Sequence, residues 1–405
     1  MNMKAKNNNS CAKEIPVLSF FTGGGFLDIG FEKAGFKIVW TNEADKDFAE
    51  MYSFGMEKWR KSFFKKSTKA TISARGNVER IFAPEILKNA FNGNRPSFFG
   101  IIGGPPCPDF SSGGKNKGGK GLNGRLSKTY VHRICSINPS FFIFENVPGL
   151  YKTKKHRKFL SKLEDTLEKN NYCLDLKILN SLDFGLPQDR ERLFMIGIQQ
   201  NIVKKYIGRK IKKDERGWFP WPKPKYKNTK KIYRWPDIVN NGRRPSKPRN
   251  IPEKLMVHSL FNRKNNPEKL LNGKDCFKAY SQKFNTIKEG DTYRKSFKRL
   301  HRFRFSPTVC YGHNEVHLHP WKKRRLSVRE AMRIQGIPDV YALPQEASLT
   351  AKFAIVSNGV PVPLSNEVAK SLWNLFKKTI SSNRLQKNKS KVREWMSGAK
   401  KNAAR

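Results

Sequence analysis

The sequence predicts a doubly wound, largely parallel α/β sheet with a second, smaller and irregular domain. Short apolar runs of strand length alternate with helical stretches, which is typical of a parallel sheet covered by helices on both faces. The first such unit places a glycine-rich turn between a buried strand at 15–21 and a helix. The chain has 405 residues, more than one hydrophobic core usually holds, so a smaller second unit is expected.

The first βαβ unit carries the features of a nucleotide site. Apolar residues recur at helical spacing over 26–34, Gly35 is placed to end the helix, and a second strand follows at 37–41. Glu43 comes directly after that strand. In such units the glycines let the backbone approach a ligand and the acid binds ribose hydroxyls, so an adenosine-type cofactor is predicted. The alternative is a glycine turn that binds nothing.

Later strands place two more reactive side chains where ligands bind. The strands are predicted at 98–102, 141–144, 172–178 and 193–198, with a helix at 158–169. Cys107 lies in a Gly/Pro turn after the first of these strands, and Glu145 follows the second. Because ligands bind at the carboxyl ends of strands in doubly wound sheets, one crevice can hold both. A rigid thiol is a candidate nucleophile, although a buried structural cysteine is the commoner case.

The charge of the chain indicates a polyanionic partner. Lys and Arg number 81 against 33 Asp and Glu, a formal net charge of +48. Nucleic acid is the expected partner, although a codon bias towards lysine or a solvated basic surface gives the same composition. The six cysteines include no C-x-x-C pair, so no metal site and no disulfide framework are predicted. No signal peptide or membrane-length apolar run is present, and a cytoplasmic protein is expected.

Composition divides the chain into five parts. The residues between 201 and 304 are rich in Pro, Trp, Lys and Arg; these aromatics either stack on bases or form a small core with a charged surface. A helix is predicted at 326–335 and another at 368–376. The predicted parts are a disordered N-terminus 1–13, an α/β domain 14–200 with the nucleotide-type site and the cysteine turn, a smaller irregular domain 201–320, helices 321–380 that pack back on the sheet and a basic tail 381–405.

Seven short motifs, in order, make the chain resemble the DNA (cytosine-5) methyltransferases of bacterial restriction-modification systems. They are FTGGG at 21–25, NEAD at 42–45, GGPPCPDFS at 103–111, ENV at 145–147, QDRER at 188–192, RLSVREAMRIQ at 325–335 and SNGVP at 357–361. The resemblance runs from about residue 15 to 370 and implies a Rossmann-like fold. It also implies S-adenosyl-L-methionine as cofactor, double-stranded DNA as partner and a cognate restriction endonuclease as genetic partner. A nucleoid-associated monomer is expected.

The resemblance implies a role for each site residue. Cys107 would attack C6 of cytosine, Glu145 would hold N3 and the exocyclic amino group, and Arg190 and Arg192 would reach the base O2 and nearby backbone, with Arg192 favoured for O2. The base would be flipped out of the duplex. The resemblance then makes 14–200 the catalytic and cofactor-binding domain, 201–320 the target-recognition domain and 321–380 the return helices that complete the catalytic domain. The implied cofactor-binding residues are Phe21, Gly23, Gly25, Glu43, Asn77, Pro106 and Asn358. The implied DNA-binding residues are Ser111, Gln188, Arg304 and Arg325.

The sequence departs from the family pattern at a few positions. Pro108 replaces a Gln after the cysteine, Asn77 replaces an Asp that accepts the adenine amino group, and Ser357 and Gly359 alter the closing motif. Three other functions stay open: an RNA cytosine methyltransferase, a non-catalytic DNA-binding protein on the same scaffold, and a nicotinamide-dependent dehydrogenase. The last explains the first βαβ unit but neither the cysteine motif nor the ENV motif.

Overall fold

A computed structural model describes residues 14–65, 70–106, 122–240, 242–261, 266–278, 281–294, 296–309, 311 and 316–377. Cys107, Ser111 and the basic tail therefore lie outside the described residues.

Within the residues that the structure describes, seven strands form one sheet and two more form a small parallel pair. The strands are β1 Ile15–Phe20, β2 Phe36–Glu43, β3 Ala74–Arg75, β4 Gly100–Gly103, β5 Phe141–Asn146, β6 Tyr172–Asn180, β7 Gln188–Asp189, β8 Glu191–Gln199 and β9 Ser306–Pro307. The order in the large sheet is β3-β2-β1-β4-β5-β8-β6. All neighbours are parallel except at β8, which runs antiparallel to β5 and β6. The predicted doubly wound, mostly parallel sheet is confirmed.

The helices alternate with the strands between β1 and residue 207. They are α1 Phe26–Ala34, α2 Lys46–Phe64, α3 Ala83–Phe91, α4 Leu122–Ile137, α5 Gly149–Lys152, α6 Lys154–Lys169, α7 Gln200–Ile207, α8 Thr229–Ile232, α9 His258–Phe261, α10 Lys283–Thr286, α11 Val328–Ile334, α12 Leu349–Asn358 and α13 at 362–377. No helix in the described ranges is long and apolar enough to cross a membrane.

Both faces of the sheet are covered, as the side chains of β5 illustrate. Phe141 and Ile143 pack in a cluster that contains Phe31 of α1 and Leu372 of α13. Phe142 and Phe144 point to the other face, where α4 and α6 supply Tyr130, Ile134, Leu160 and Leu163. Because successive strand residues face opposite sides, a strand buried on both faces is apolar throughout. The continuous apolar run at 141–144 has this cause.

The order of the strands fixes where ligands bind. The chain moves outward from β1 to β2 and β3, then returns to β4 on the other side of β1. In doubly wound sheets the crevice at such a reversal, at the carboxyl ends of the strands, is the ligand site. The glycine turn after β1 and the Gly104–Pro106 turn after β4 both lie at this edge.

The aromatic stretch after α7 is part of the core. Trp218 and Phe219 are buried in the same cluster as Phe141. The Trp218 indole Nε1 donates to Leu174 O at 2.9 Å, and the Phe219 amide donates to the Asp175 carboxylate at 2.8 Å. These two rings therefore pack on β6 in the core of the large sheet, so neither stacking on bases nor a separate small core describes them.

Candidate active site

A buried acid and an arginine meet at the carboxyl end of β5. Glu145 is the fifth residue of β5 and is 7% exposed, and Arg192 extends from the start of the neighbouring β8. Glu145 Oε1 lies 3.1 Å from Arg192 Nε. Burial raises the pKa of the Glu145 carboxyl, and the charges of Arg192 and Arg190 act in the opposite direction. The site thus holds a carboxyl group that takes up a proton more readily than an exposed one.

Gly104 makes room for that carboxylate. A Cβ at this position would lie 2.6 Å from Glu145 Oε2, well inside van der Waals contact. The turn after β4 approaches the acid this closely only because residue 104 has no side chain. Asn146 fixes the same turn from the other side, since its Nδ2 donates to Pro105 O at 3.3 Å. The strand end that precedes Cys107 is therefore held against Glu145.

The guanidinium of Arg190 binds backbone carbonyl oxygens of two distant segments. It is fully buried, and its Nη1 donates to Val309 O at 2.8 Å. Its Nη2 donates to Ser357 O at 2.5 Å and to Gly359 O at 3.0 Å. These two carbonyls flank Asn358, so the guanidinium fixes the backbone on both sides of that residue. The geometry favours a positioning role for Arg190 over contact with a base.

Gln188 belongs to the same internal network. Its side chain is fully buried, and its Nε2 donates to Ile334 O at 2.9 Å and to Gln335 Oε1 at 3.0 Å. Gln335 in turn donates to Val356 O at 2.7 Å. A DNA contact by Gln188 is not compatible with this burial. Instead, the residue connects β7 to α11 and, through Gln335, to α12.

The turn after β1 forms the cradle that the sequence predicts. Gly23 and Gly25 have φ angles of 50° and 74°, which glycine adopts without strain. The space where a Gly23 Cβ would lie is open. The Gly23 amide donates to Glu43 Oε2 at 2.8 Å, while the Ala44 and Asp45 amides donate to Oε1 at 2.9 and 3.0 Å. Glu43, the last residue of β2, is thus oriented by three backbone amides.

Burial also changes the acidity of Glu43. Desolvation raises the pKa of its carboxyl, and the three backbone hydrogen bonds oppose that shift. A carboxylate oxygen accepts two hydrogen bonds, so Oε2 keeps one acceptor position besides the Gly23 amide. This arrangement suits a ligand that presents hydroxyl groups.

Sequence reasoning missed a residue that supports the glycine turn. The Tyr341 hydroxyl donates to Gly24 O at 2.8 Å. To reach it, the ring passes over Gly55 of α2, where a Cβ would lie 2.0 Å from the ring. No local motif marks either residue, because they meet only in the folded chain. Gly359, where the closing motif departs from the family pattern, is also explained by packing. A Cβ there would lie 2.1 Å from the Phe26 ring.

The remaining cofactor candidates have different degrees of exposure. Phe21 follows β1 with φ of 53° and is half-buried, its ring 5.8 Å from that of Tyr130. Asn77 and Asn358 are exposed, and so is Pro106. The Asn77 Oδ1 accepts from the Glu79 amide at 3.0 Å, which leaves that oxygen one further acceptor position.

The basic candidates of the middle segment differ in accessibility. Arg304 is half-buried, whereas Arg325 is 7% exposed and its guanidinium carbon lies 5.6 to 5.8 Å from the ring centres of Phe277, Phe284 and Phe297. Arg325 therefore has a cation–π role inside the fold. Cys107 and Ser111 lie outside the described residues. Within the described ranges no group of three or more His, Cys, Asp or Glu side chains could hold a metal ion.

Fold and site together define an α/β enzyme with a nucleotide-type cradle and a buried acid–arginine pair at adjoining strand ends. The family model for C-5 cytosine-specific DNA methylases matches residues 15–374. Since this match spans most of the chain, the protein belongs to that family of DNA (cytosine-5-)-methyltransferases.

Individual relatives agree with the family. Type II methyltransferase M.NmeDI of Neisseria meningitidis serogroup C is 40% identical over 367 residues, 89% of this chain and 84% of the relative. Type II methyltransferase M.FnuDI of Fusobacterium nucleatum is 29% identical over 88% of this chain and 94% of its own length. The S. pombe Dnmt2 methyltransferase structure matches with a TM-score of 0.55 at 12% identity, covering 90% of this chain and 99% of that one. The structural likeness supports the fold alone.

Proposed function

We propose that this protein transfers a methyl group from S-adenosyl-L-methionine to C5 of a cytosine flipped out of a specific DNA duplex, through a covalent bond between Cys107 and C6. The observation that carries the proposal is the buried Glu145–Arg192 pair, held by Gly104 against the turn that leads to Cys107. A carboxyl group and a guanidinium side by side can form hydrogen bonds with N3 and the exocyclic amino group of cytosine and with its O2, respectively.

The acid and the nucleophile act together in the proposed reaction. Cytosine C5 becomes nucleophilic only when the Cys107 thiolate adds to C6, and that addition places electron density on the ring. The raised pKa of Glu145 favours its protonated form, which donates to N3 as the density develops. Arg192, fixed beside Glu145, binds O2. C5 would then take the methyl group, and the donor would leave as a neutral thioether. Loss of the C5 proton to solvent, departure of the Cys107 thiolate from C6 and return of the N3 proton to Glu145 restore the aromatic ring.

The residues at the edge of β1 and β2 fit the cofactor. Glu43 offers an oriented acceptor for ribose hydroxyls, the open space at Gly23 admits the methionine part, and the Phe21 ring offers a face to adenine. Asn77 Oδ1 has an acceptor position for the adenine amino group. Bound S-adenosyl-L-methionine supplies an electrophilic methyl group. Arg190 contributes by holding Asn358 at the rim of the same cradle.

The decisive test is covalent trapping. Bisulfite sequencing of DNA from cells that express the protein first identifies the methylated sequence. A duplex with that sequence and 5-fluorocytosine at the target should form an adduct that survives denaturing electrophoresis, because fluorine blocks the elimination step. Cys107→Ser should form none. Cys135→Ser is the matched control, since burial raises the pKa of the Cys135 thiol to about 11 and it should not react.

Other outcomes of this test would contradict the proposal. An adduct that persists in Cys107→Ser would refute the assigned nucleophile. Methylation of transfer RNA without methylation of DNA would instead support the RNA-directed alternative.

We also propose that a restriction endonuclease of the same specificity is its genetic partner. The support is the similarity to Type II methyltransferases. DNA from expressing cells should resist cleavage by an endonuclease that recognises the sequence found by bisulfite sequencing.

A further inference from the structure

A single residue, Glu79, fixes the orientation of the Asn77 side-chain amide. The Glu79 backbone amide donates to Asn77 Oδ1 at 3.0 Å, and Glu79 Oε2 accepts from Asn77 Nδ2 at 2.9 Å. Rotation of the amide by half a turn would set its oxygen against the carboxylate and its nitrogen against the backbone N–H group, so both hydrogen bonds would be lost. Glu79 therefore selects one of the two orientations of Asn77.

Glu79 is itself held by α4. Its Oε1 lies 2.7 Å from Arg125 Nε and its Oε2 accepts from Arg125 Nη2 at 3.0 Å, so the guanidinium binds both carboxylate oxygens. The Glu79 side chain is 22% exposed in this arrangement. From the same helix, Arg133 Nη2 donates to the carbonyl oxygens of Val78 and Glu79 at 3.3 and 3.1 Å. Both the side chain and the backbone of Glu79 are thus fixed where they meet Asn77.

The turn that carries Asn77 lies at the end of β2, beside Glu43. The Gly76 amide donates to Glu43 O at 3.2 Å. Asn42 Nδ2 donates to Ala74 O and Gly76 O at 2.9 and 3.0 Å. Glu43 is the acid proposed to bind the ribose, and adenine is bonded directly to that ribose. An adenine in the cradle can therefore reach the residue that follows Gly76.

The amino group of adenine is a hydrogen-bond donor and needs an acceptor. An aspartate, which the family pattern has at position 77, offers acceptors only, whereas an asparagine presents either its oxygen or its amide nitrogen. An asparagine with its nitrogen towards the amino group would set two donors against each other and leave both unsatisfied. The orientation imposed by Glu79 removes this alternative, so Asn77 can take the place of the aspartate.

We propose that Glu79 is a positioning residue that makes Asn77 the acceptor for the adenine amino group, and that the pair requires Glu79 as its only carboxylate. The inference rests on the proposed function and deepens it, because it assigns adenine recognition to two residues acting together. Asn77→Asp, which restores the family pattern, is then unfavourable in this chain. It would put a carboxylate oxygen where Nδ2 lies, 2.9 Å from Glu79 Oε2, and the two negative charges would repel each other.

The test measures the Kd for S-adenosyl-L-methionine by equilibrium dialysis, with thermal unfolding as a check of the fold. Asn77→Asp should bind at least about tenfold more weakly than the wild type. The double variant Asn77→Asp/Glu79→Gln should return to within about threefold of the wild type, because the new amide donates to the new carboxylate. Glu79→Gln with Asn77 kept should not strengthen binding, so the gain depends on the change at 77.

A matched control removes a negative charge elsewhere in the same region. Glu85 is exposed in the first turn of α3. Asn77→Asp/Glu85→Gln has the same net charge as the double variant with Glu79→Gln, but it leaves the Glu79 carboxylate in place. It should therefore bind as weakly as Asn77→Asp alone.

Three results would overturn the inference. Binding by Asn77→Asp that equals or exceeds that of the wild type would mean that the aspartate is acceptable beside Glu79. The absence of recovery in Asn77→Asp/Glu79→Gln, or an equal recovery with Glu85→Gln, would exclude a direct effect of the Glu79 carboxylate. Methylation of DNA by the wild type is measured first, so that failure of the proposed function is recognised separately.

Discussion

Substitution of Gly104 by alanine should slow methyl transfer while leaving the fold intact. The added Cβ would lie 2.6 Å from Glu145 Oε2, whereas ordinary contact begins at 3.4 Å. The carboxylate must therefore move by about 0.8 Å, which changes its 3.1 Å contact with Arg192. A displacement of this size in a catalytic group reduces the rate by about 100-fold, which corresponds to about 2.7 kcal/mol in activation free energy.

The assay is the single-turnover rate of methyl transfer at saturating DNA and cofactor, compared with thermal unfolding. Gly104 does not have a positive φ, so alanine adds no backbone strain there. Gly93→Ala is the control: its φ is 83° and the space around it is open, so the variant should lose about 1 kcal/mol of stability and keep its rate. A Gly104→Ala enzyme within about twofold of the wild-type rate would refute the reasoning.

Three further outcomes are expected. DNA affinity should fall steeply between 50 and 200 mM salt, because a chain of net charge +48 binds phosphates by counterion release; a flat dependence in a binding titration would contradict this. Tyr341→Phe should raise the KM for S-adenosyl-L-methionine several-fold with kcat retained, because the Gly24 carbonyl oxygen loses its hydrogen-bond donor. A KM equal to that of the wild type would exclude a role of Tyr341 in supporting the glycine turn. Burial lowers the pKa of His317 to about 3 from about 6.5 when unfolded. The unfolded chain therefore binds the extra proton as pH falls below 6.5, and stability decreases by about 1.4 kcal/mol per pH unit towards pH 3. Denaturant titrations at pH 4 to 6 should show that the free energy of unfolding depends less on pH in His317→Phe than in the wild type. An unchanged slope would argue against a buried neutral histidine.

Much of the fold could be predicted because the relevant signals are local. The apolar run at 141–144 and the glycine turn after β1 each determine their own conformation. The long helix α2 was not predicted, although its signal is present: Asp45 caps it, and Ala49, Tyr52, Met56 and Trp59 recur at helical spacing on its buried face. The two-residue strands β3, β7 and β9 have no such signal. Their pairing depends on partners distant in sequence.

The candidate site was predicted less completely, and Arg190 illustrates the cause. In the motif QDRER, two arginines stand two residues apart, a spacing that puts side chains on the same face of a continuous strand. In the structure β7 ends at Asp189 and β8 begins at Glu191, so Arg190 occupies the break between them. Its side chain leaves the strand direction and reaches carbonyls that lie more than a hundred residues later in the chain. A motif gives residue types and spacing, but this break in the strand appears only in three dimensions.

Arg190 also explains why three functions proposed for separate parts of the chain depend on one another. Its neighbour Arg192 contacts Glu145 in the candidate base pocket. Its own guanidinium binds the carbonyl oxygen of Val309, which follows the strand β9, and the carbonyl oxygens on both sides of Asn358, which is proposed to bind the cofactor. A buried guanidinium with several carbonyl partners is costly to displace, since each lost hydrogen bond leaves a buried polar group unsatisfied. The middle segment proposed to recognise DNA, Asn358 proposed for the cofactor site and Arg192 proposed to hold the base are therefore fixed relative to one another by a side chain that need not touch any substrate.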